Sequence, residues 1–373
     1  MVTRAGGHLL VVSHPCVIAE NQEVYLALRQ RGWSLTIVTP ALWRDPYRTA
    51  PFAPAALAGL EDVLRPLPIA FAGYDQRHIY RVRVGSVVRR VAPSVVFLEQ
   101  EPFSLAALQW AVALTRRRVP FGVQMAENLD RAMAPPVRVS RRWVLRRAAF
   151  VAARSPDAVA LARDWGARGH VAVVPHTVPT WSGVEREQQR QGFTIGFAGR
   201  LVEEKGVLDL VAAARRMRAK SRLLLVGAGP LAAPLRALAT EELEIEIREG
   251  VTHGEMPAAL AEMDVLVLPS RTTPQWAEQF GRILVEAMWC GVPVVGSDSG
   301  AIPWVIETTG GGVVFPEGDV DALAARLDDL AARPDLRAAL AEHGSRVAHA
   351  EFGADAAAVA LSSLLLESER GRP

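Results

Sequence analysis

Two glutamates eight residues apart, Glu278 and Glu286, flank Gly281 in the run DVLVLPSRTTPQWAEQFGRILVEAM that starts at Asp264. A carboxylate accepts hydrogen bonds from two adjacent hydroxyls at once, so this residue type suits a sugar or ribose diol. The plainer reading of two glutamates at such a spacing is a pair of solvated surface charges. Opposite charge comes from Gly199-Arg200-Leu201-Val202-Glu203-Glu204-Lys205-Gly206. One Arg and one Lys in a glycine-bounded loop suit a diphosphate, whose charge they would neutralise as it departs. Basic loop residues are common and carry little weight alone. Lysine is rare here, however: Lys205 and Lys220 are the two in a chain with 42 Lys and Arg together. A lysine kept in so Arg-rich a sequence marks a place for a compact point charge rather than a planar fork.

Both runs fall between a strand-like and a helical segment, in a chain that alternates the two throughout. Strand patterns at 9–13, 34–39, 95–98 and 121–125 interleave with helical ones at 22–31, 105–116 and 140–149. Residues 175–192, PHTVPTWSGVEREQQRQG, are polar and aperiodic and break the rhythm. It restarts with strands at 193–198, 222–226, 244–248, 264–268 and 292–295 and helices at 207–217, 231–238, 257–263 and 281–290. Helices at 319–331, 334–348 and 355–367 close the chain. Short buried strands between amphipathic helices predict an α/β architecture with parallel sheets. Two doubly wound, Rossmann-like domains are expected, 1–177 and 193–354, joined by a 178–192 linker and facing a central cleft. Ligands in such sheets collect at the carboxyl ends of strands, and a helix N-terminus offers N–H groups and partial positive charge. Arg200 and Lys205 follow one strand; Glu278 precedes the helix that Gly281 opens, and Glu286 lies a turn and a half into it.

Taken together, the two motifs resemble those of the retaining glycosyltransferases of the GT-B fold, family four. That pattern is G-R-[LV]-x-x-x-K-G in the first loop of the carboxy-terminal domain, then E-x-F-G-x-x-x-x-E-A. Here both stand in order, followed by Gly291-Val292-Pro293-Val294-Val295-Gly296-Ser297. The resemblance is close over about 190–350 and loose over 1–175. It implies that Arg200 and Lys205 bind the diphosphate of a UDP or GDP sugar. Glu286 would take the ribose, and Glu278 the sugar hydroxyls near the anomeric carbon. Backbone N–H groups of Phe280, Gly281, Arg282 and Ile283 would meet sugar and phosphate oxygens, and the loop at Val251 the base. A closing helix, about 355–373, would pack back on the first domain. The implied reaction is hexosyl transfer to a hydroxyl with retained configuration, the acceptor attacking on the face the diphosphate leaves. That reaction needs no enzyme nucleophile, metal or other cofactor. No D-x-D stands at a strand end, and Asp328-Asp329 falls within a helical pattern, as surface charge.

The amino-terminal half departs from the pattern. Its first strand-to-helix loop reads His14-Pro15-Cys16-Val17-Ile18-Ala19-Glu20-Asn21 where a Gly-Gly pair is usual, and Ala126-Glu127-Asn128 stands where a His is frequent. Glu127, Asn128, Glu101 and His14 are the acceptor-side candidates. Against them stand plain structural roles: Glu127 as a local cap, Ser104 as a helix N-cap beside Glu99-Gln100-Glu101, and His14 and His176 as isolated histidines.

Composition bounds the rest. Half the chain is apolar and 22% charged, ordinary for a globular protein. No apolar run approaches the roughly 20 residues of a membrane span. The short run at 9–12 reads as a strand rather than a leader. Cys16 and Cys290 have no zinc or disulfide spacing, which points to a reducing, cytoplasmic setting. Residues 1–190 hold 25 Arg and Lys against 14 Asp and Glu, the remainder 17 against 26, so the first half suits an anionic partner. Residues 140–153, SRRWVLRRAAFVAA, read as one basic amphipathic helix with Trp143, Leu145 and Phe150, able to lie on an anionic membrane or to pack on its own sheet. Expected partners are a nucleotide-sugar donor, a saccharide, lipid-linked or small-molecule acceptor, and peripherally an anionic membrane, with no nucleic acid. Three rival readings remain. Gly227-Ala228-Gly229-Pro230-Leu231-Ala232 fits a dinucleotide loop weakly; a sugar-nucleotide epimerase and a non-catalytic nucleotide-sugar binder share the expected architecture.

Overall fold

The structure, a computed structural model, describes residues 7–44, 50–181 and 192–370. It divides into two compact units, Met1–Pro179 with Ala354–Pro373, and Thr180–Gly353. Residues 182–191, the greater part of the expected linker, lie outside the described residues.

The first unit runs β1 (His8–Ser13), α1 (Glu23–Gln30), β2 (Ser34–Pro40), β3 (Leu64–Leu67), a short hairpin of β4 (Ile69–Ala70) and β5 (Ile79–Tyr80), α2 (Val84–Val91), β6 (Val95–Glu99), α3 (Leu105–Arg117), β7 (Phe121–Met125), α4 (Pro135–Arg147), β8 (Phe150–Ala153), α5 (Pro156–Asp164) and β9 (His170–Val173). Its parallel sheet has the order β3-β2-β1-β6-β7-β8-β9. Both faces are covered, which is why β1 reads as an unbroken apolar run: Leu10 and Val12 enter one core cluster, Leu9 and Val11 the other.

In the second unit, β10 (Phe193–Ala198), α6 (Val207–Ala214), β11 (Ser221–Val226), α7 (Ala232–Ala237), β12 (Glu244–Arg248), α8 (Met256–Ala261), β13 (Val265–Leu268), α9 (Arg282–Trp289), β14 (Val294–Ser297), α10 (Ile302–Thr309), β15 (Gly312–Phe315), α11 (Val320–Ala332) and α12 (Pro334–Glu351) follow in turn. The order β12-β11-β10-β13-β14-β15 is the doubly wound one, with winding reversed between β10 and β13. The last helix, α13 (Ala354–Arg370), returns to the first unit. There Ala357, Ala358, Leu361, Leu364 and Leu365 share a core with Leu9, Tyr25, Leu28 and Trp33. The Trp33 Nε1–H donates to Ser362 Oγ at 3.0 Å, and Arg31 meets Asp355 at 2.6 Å.

One sequence expectation is overturned. Residues 140–153 are not a single helix: α4 ends at Arg147, Ala148 turns extended, and Phe150–Ala153 form the interior strand β8 between β7 and β9. The run RRAAFVAA has no Gly or Pro to mark the break, and its alanines favour helix locally. Tertiary packing decides instead. Phe150 stacks on Phe97 with ring centroids 5.9 Å apart, in space left by Gly122, whose Cβ would lie 2.2 Å from that ring. Phe150 therefore belongs to the core and not to a basic helix face. Asp328 is also more than surface charge: it sits in α11 and accepts the N–H groups of Arg218 and Ala219 at 2.9 and 3.1 Å.

Leu361 is almost fully buried in the α13 contact. Leu361→Ala should cost about 2–5 kcal/mol in urea unfolding of the first unit, whereas truncation at the exposed Val359 should change stability by less than about 0.5 kcal/mol.

Candidate functional site

At the point where winding reverses, the loops after β10 and β13 leave the same sheet edge and diverge. These are the loops that carry Arg200 and Lys205 and, on the other side, Glu278. They are clasped together by backbone. Gly206, at φ +65°, ends a short 3-10 turn over Glu203–Lys205, and a Cβ there would fall 1.8 Å from the Pro269 carbonyl. Arg271 N–H donates to Glu204 O at 2.8 Å, and its guanidinium grips Asp209 through two bonds of 2.5 and 2.6 Å. This clasp brings two candidate side chains into contact. Lys205 Nζ lies 2.5 Å from Glu278 Oε2 and 4.8 Å over the Trp276 ring. Ser270 Oγ donates to the same Glu278 oxygen at 2.7 Å, and the Ser270 carbonyl accepts from Ser297 Oγ at 2.6 Å. The Glu278 backbone is pinned from a third loop: its carbonyl accepts Ala301 N–H at 2.9 Å, and a Cβ on Gly300 would strike that oxygen at 2.1 Å.

The other candidates surround this contact. Arg200 is exposed, 3.6 Å from Glu204. Gly281, at φ +75°, caps α9, whose first amides have no helical acceptor by position; these are the N–H groups of Arg282 and Ile283. Arg282 also pairs with the buried Glu286, Nε to Oε1 at 2.8 Å. Phe280 is buried against Trp304 and Phe352. Val251 is half-buried in the loop after β12, two strands from the reversal point on the same edge. Ser270, Ser297 and Trp276 were missed by sequence reasoning. The two serines had a faint signal, small hydroxyl side chains where an apolar strand stops. Gly227 and Gly229 find a structural reason here. Cβ atoms on them would lie 1.9 and 2.3 Å from the carbonyls of Gly199 and Leu201, so the glycines let the β11 loop lie on the β10 loop.

The first unit reverses winding between β1 and β6, which sets His14 beside Gln100. His14 Nδ1 is 3.2 Å from Gln100 Oε1 and its ring packs on Trp43 and His78; burial first, then neighbouring His78, lower its imidazole to about 4. Glu99 is not available to a ligand. It is buried, accepting Tyr25 OH at 2.6 Å and Arg154 Nη2 at 3.0 Å. Glu101 Oε1 accepts Ala126 N–H at 2.7 Å, while its Oε2 is sealed from solvent without a partner. Burial is the main cause that pushes this carboxyl up to about 8. Glu127 is buried and accepts Arg131 Nε at 2.7 Å and, at 3.4 Å, Leu129 N–H; Asn128 follows it, half-buried. Ser104 caps α3 by accepting Ala107 N–H at 3.1 Å.

Residues 192–333 match the family described as glycosyl transferases group 1, and residues 19–177 the glycosyl transferase 4-like domain. The chain belongs to the family-four-like group 1 glycosyltransferases. It is 31% identical over 194 residues to a GDP-mannose-dependent monoacylated α-(1-6)-phosphatidylinositol monomannoside mannosyltransferase of Corynebacterium glutamicum, covering 49% of this chain and 51% of that one. It is 32% identical to a 2-deoxystreptamine glucosyltransferase of Streptomyces kanamyceticus, over 54% of this chain and 56% of the other. The chain thus spans about half the length of the curated relatives it matches. A solved sucrose-phosphate synthase from Thermosynechococcus elongatus superposes with a TM-score of 0.71 at 17% identity, covering 99% of this chain and all of that one. The fold of this glycosyltransferase-family chain is GT-B.

Stability should depend on pH through Glu101 and His14 in opposite senses. A carboxyl raised by the fold from 4.5 to about 8 contributes fully below 4.5, and that contribution is lost as pH rises through 8. An imidazole lowered from 6.5 to about 4 contributes above 6.5 and loses this as pH falls through 4. Glu101→Gln should therefore remove, on the order of 2–4 kcal/mol, the loss that wild type suffers between pH 5 and 8.5, measured by urea unfolding. Equal pH slopes for the two proteins would contradict this.

Proposed function

We propose that this chain transfers a hexose-type sugar from a UDP or GDP sugar to an acceptor hydroxyl, with retention of anomeric configuration and without a metal. The observation that carries the reading is the meeting of Lys205 and Glu278 at the reversal point of the second sheet. A cation and a carboxylate within hydrogen-bonding distance of each other match a ligand that has phosphate at one atom and hydroxyls at the next. In this reading Arg200 and Lys205 take the diphosphate, α9 amides add partial positive charge, Glu278 takes the sugar, Glu286 the ribose, and the Val251 loop the base. The bond from the anomeric carbon to the diphosphate oxygen breaks as the acceptor oxygen bonds to the same face. The acceptor proton passes to the departing phosphate oxygen, and the two cations stabilise the charge that develops there. The acceptor, a saccharide, a lipid-linked or a small hydroxyl compound, would meet His14 and Asn128; Glu101, whose second oxygen is sealed from solvent, and Glu127, buried against Arg131, would support that surface rather than touch the acceptor.

We also propose a cytoplasmic location with peripheral contact to an anionic membrane. The support is α4, whose Arg142, Arg146 and Arg147 join Arg168, Val139 and Trp143 around a groove of about 570 Å³. Arg147 lies 4.3 Å over the Trp143 ring. No helix among the described residues is long and apolar enough to cross a membrane.

Incubation with a panel of nucleotide sugars should release free nucleoside diphosphate slowly. Interconversion of the sugar nucleotide would point to an epimerase, and no change with retained binding to a binder. Glu286→Ala should mainly raise KM, whereas Arg200→Ala should lower kcat by roughly 10²–10³-fold; near-wild-type kinetics in both would refute the assignment. For the membrane, Arg142→Glu with Arg146→Glu should abolish co-sedimentation with vesicles containing phosphatidylglycerol, and neutral vesicles should not bind wild type.

A further inference from the structure

A cation placed to grip a diphosphate holds the product as well as the substrate. A bare nucleoside diphosphate carries more negative charge on its terminal phosphate than the same phosphate esterified to a sugar, so an uncompensated Lys205 would favour the product. In this structure Lys205 is compensated. Its Nζ is 2.5 Å from Glu278 Oε2, with the two side chains 14% and 9% exposed, where charges act through a dielectric well below that of water. The Trp276 ring covers the ammonium. Ser270, fully buried, donates to the same carboxylate oxygen and is itself held by Ser297. The carboxylate thus has an anchor that does not depend on the lysine.

We infer that Glu278 is the resident counter-ion of Lys205 and sets the site's preference for an intact sugar nucleotide over the bare nucleoside diphosphate, an inference that rests on the donor reading above. A phosphate that grips Lys205 competes with Glu278 for the same ammonium. An intact donor compensates both partners: a phosphate oxygen goes to the lysine, and sugar hydroxyls go to the carboxylate that Ser270 keeps in position. A bare diphosphate compensates the lysine alone and leaves a nearly buried carboxylate facing its own added charge. The penalty falls on the product and favours its release.

Calorimetric titration of the full chain with UDP and with GDP, beside the sugar nucleotide that it turns over, tests this. Glu278→Gln keeps the shape and removes the charge. It should bind the bare diphosphate at least about tenfold tighter than wild type and lose the preference for the sugar nucleotide. Adding Lys205→Met should cancel the gain, as a double-mutant cycle requires for a direct pair. Glu278→Ala serves as a second variant if the first fails to fold. If wild type binds a nucleoside diphosphate and both Glu278 variants bind it no tighter, the counter-ion role is overturned while the donor reading stands. If wild type binds neither nucleoside diphosphate nor any sugar nucleotide, the donor reading itself fails, and this inference with it.

Discussion

In the second unit, β10 and β13 are adjacent parallel strands that are joined by neither a turn nor a single crossover. The chain leaves one towards β11 and the other towards β14, so their following loops part at the sheet edge and leave a crevice between them. Right-handed crossover connections force this wherever a parallel sheet is wound in both directions. Everything assigned to the donor except the Val251 loop, which follows the edge strand β12, lies at that opening or beside it. The same constraint operates between β1 and β6, where it brings His14 against Gln100.

The crevice alone would be a loose collection of loops. Glycines make it a fixed one, because carbonyls approach Gly206, Gly227, Gly229 and Gly300 where any side chain would collide. Four loops thereby share contacts, and the hydrogen bonds from Ser297 to Ser270 to Glu278 tie the end of β14 to the loop after β13. A carboxylate held this way loses little further freedom when it meets a ligand, which is what preorganisation means in energetic terms. The Lys205–Glu278 pair sets a balance: each charge lowers the cost of burying the other, and each must be given a substitute before the site can be used.

The edge of the first unit is built on different terms. Its carboxylates are divided between structure and site. Glu99 is spent on Arg154 and Tyr25, Glu127 on Arg131, and Glu101 is sealed with one oxygen unpartnered. Three acidic residues that look equivalent in the sequence therefore differ in partners and reach, because burial and neighbours act on each separately.

The sequence alone determined what depends on neighbours along the chain. It determined the alternation of strand and helix, the cap at Ser104, the glycine opening α9, and the two motifs, since period, capping and loop chemistry are local. Tertiary structure decided what depends on residues far apart. Phe150–Ala153 became a strand because Gly122 and Phe97 admit the Phe150 ring, against a local preference for helix. Glu99 became structural because Arg154 reaches it across 55 positions. Lys205 and Glu278, 73 positions apart, could be named from their motifs but not joined. Their contact exists because two strands pair in the sheet and their loops have nowhere else to go.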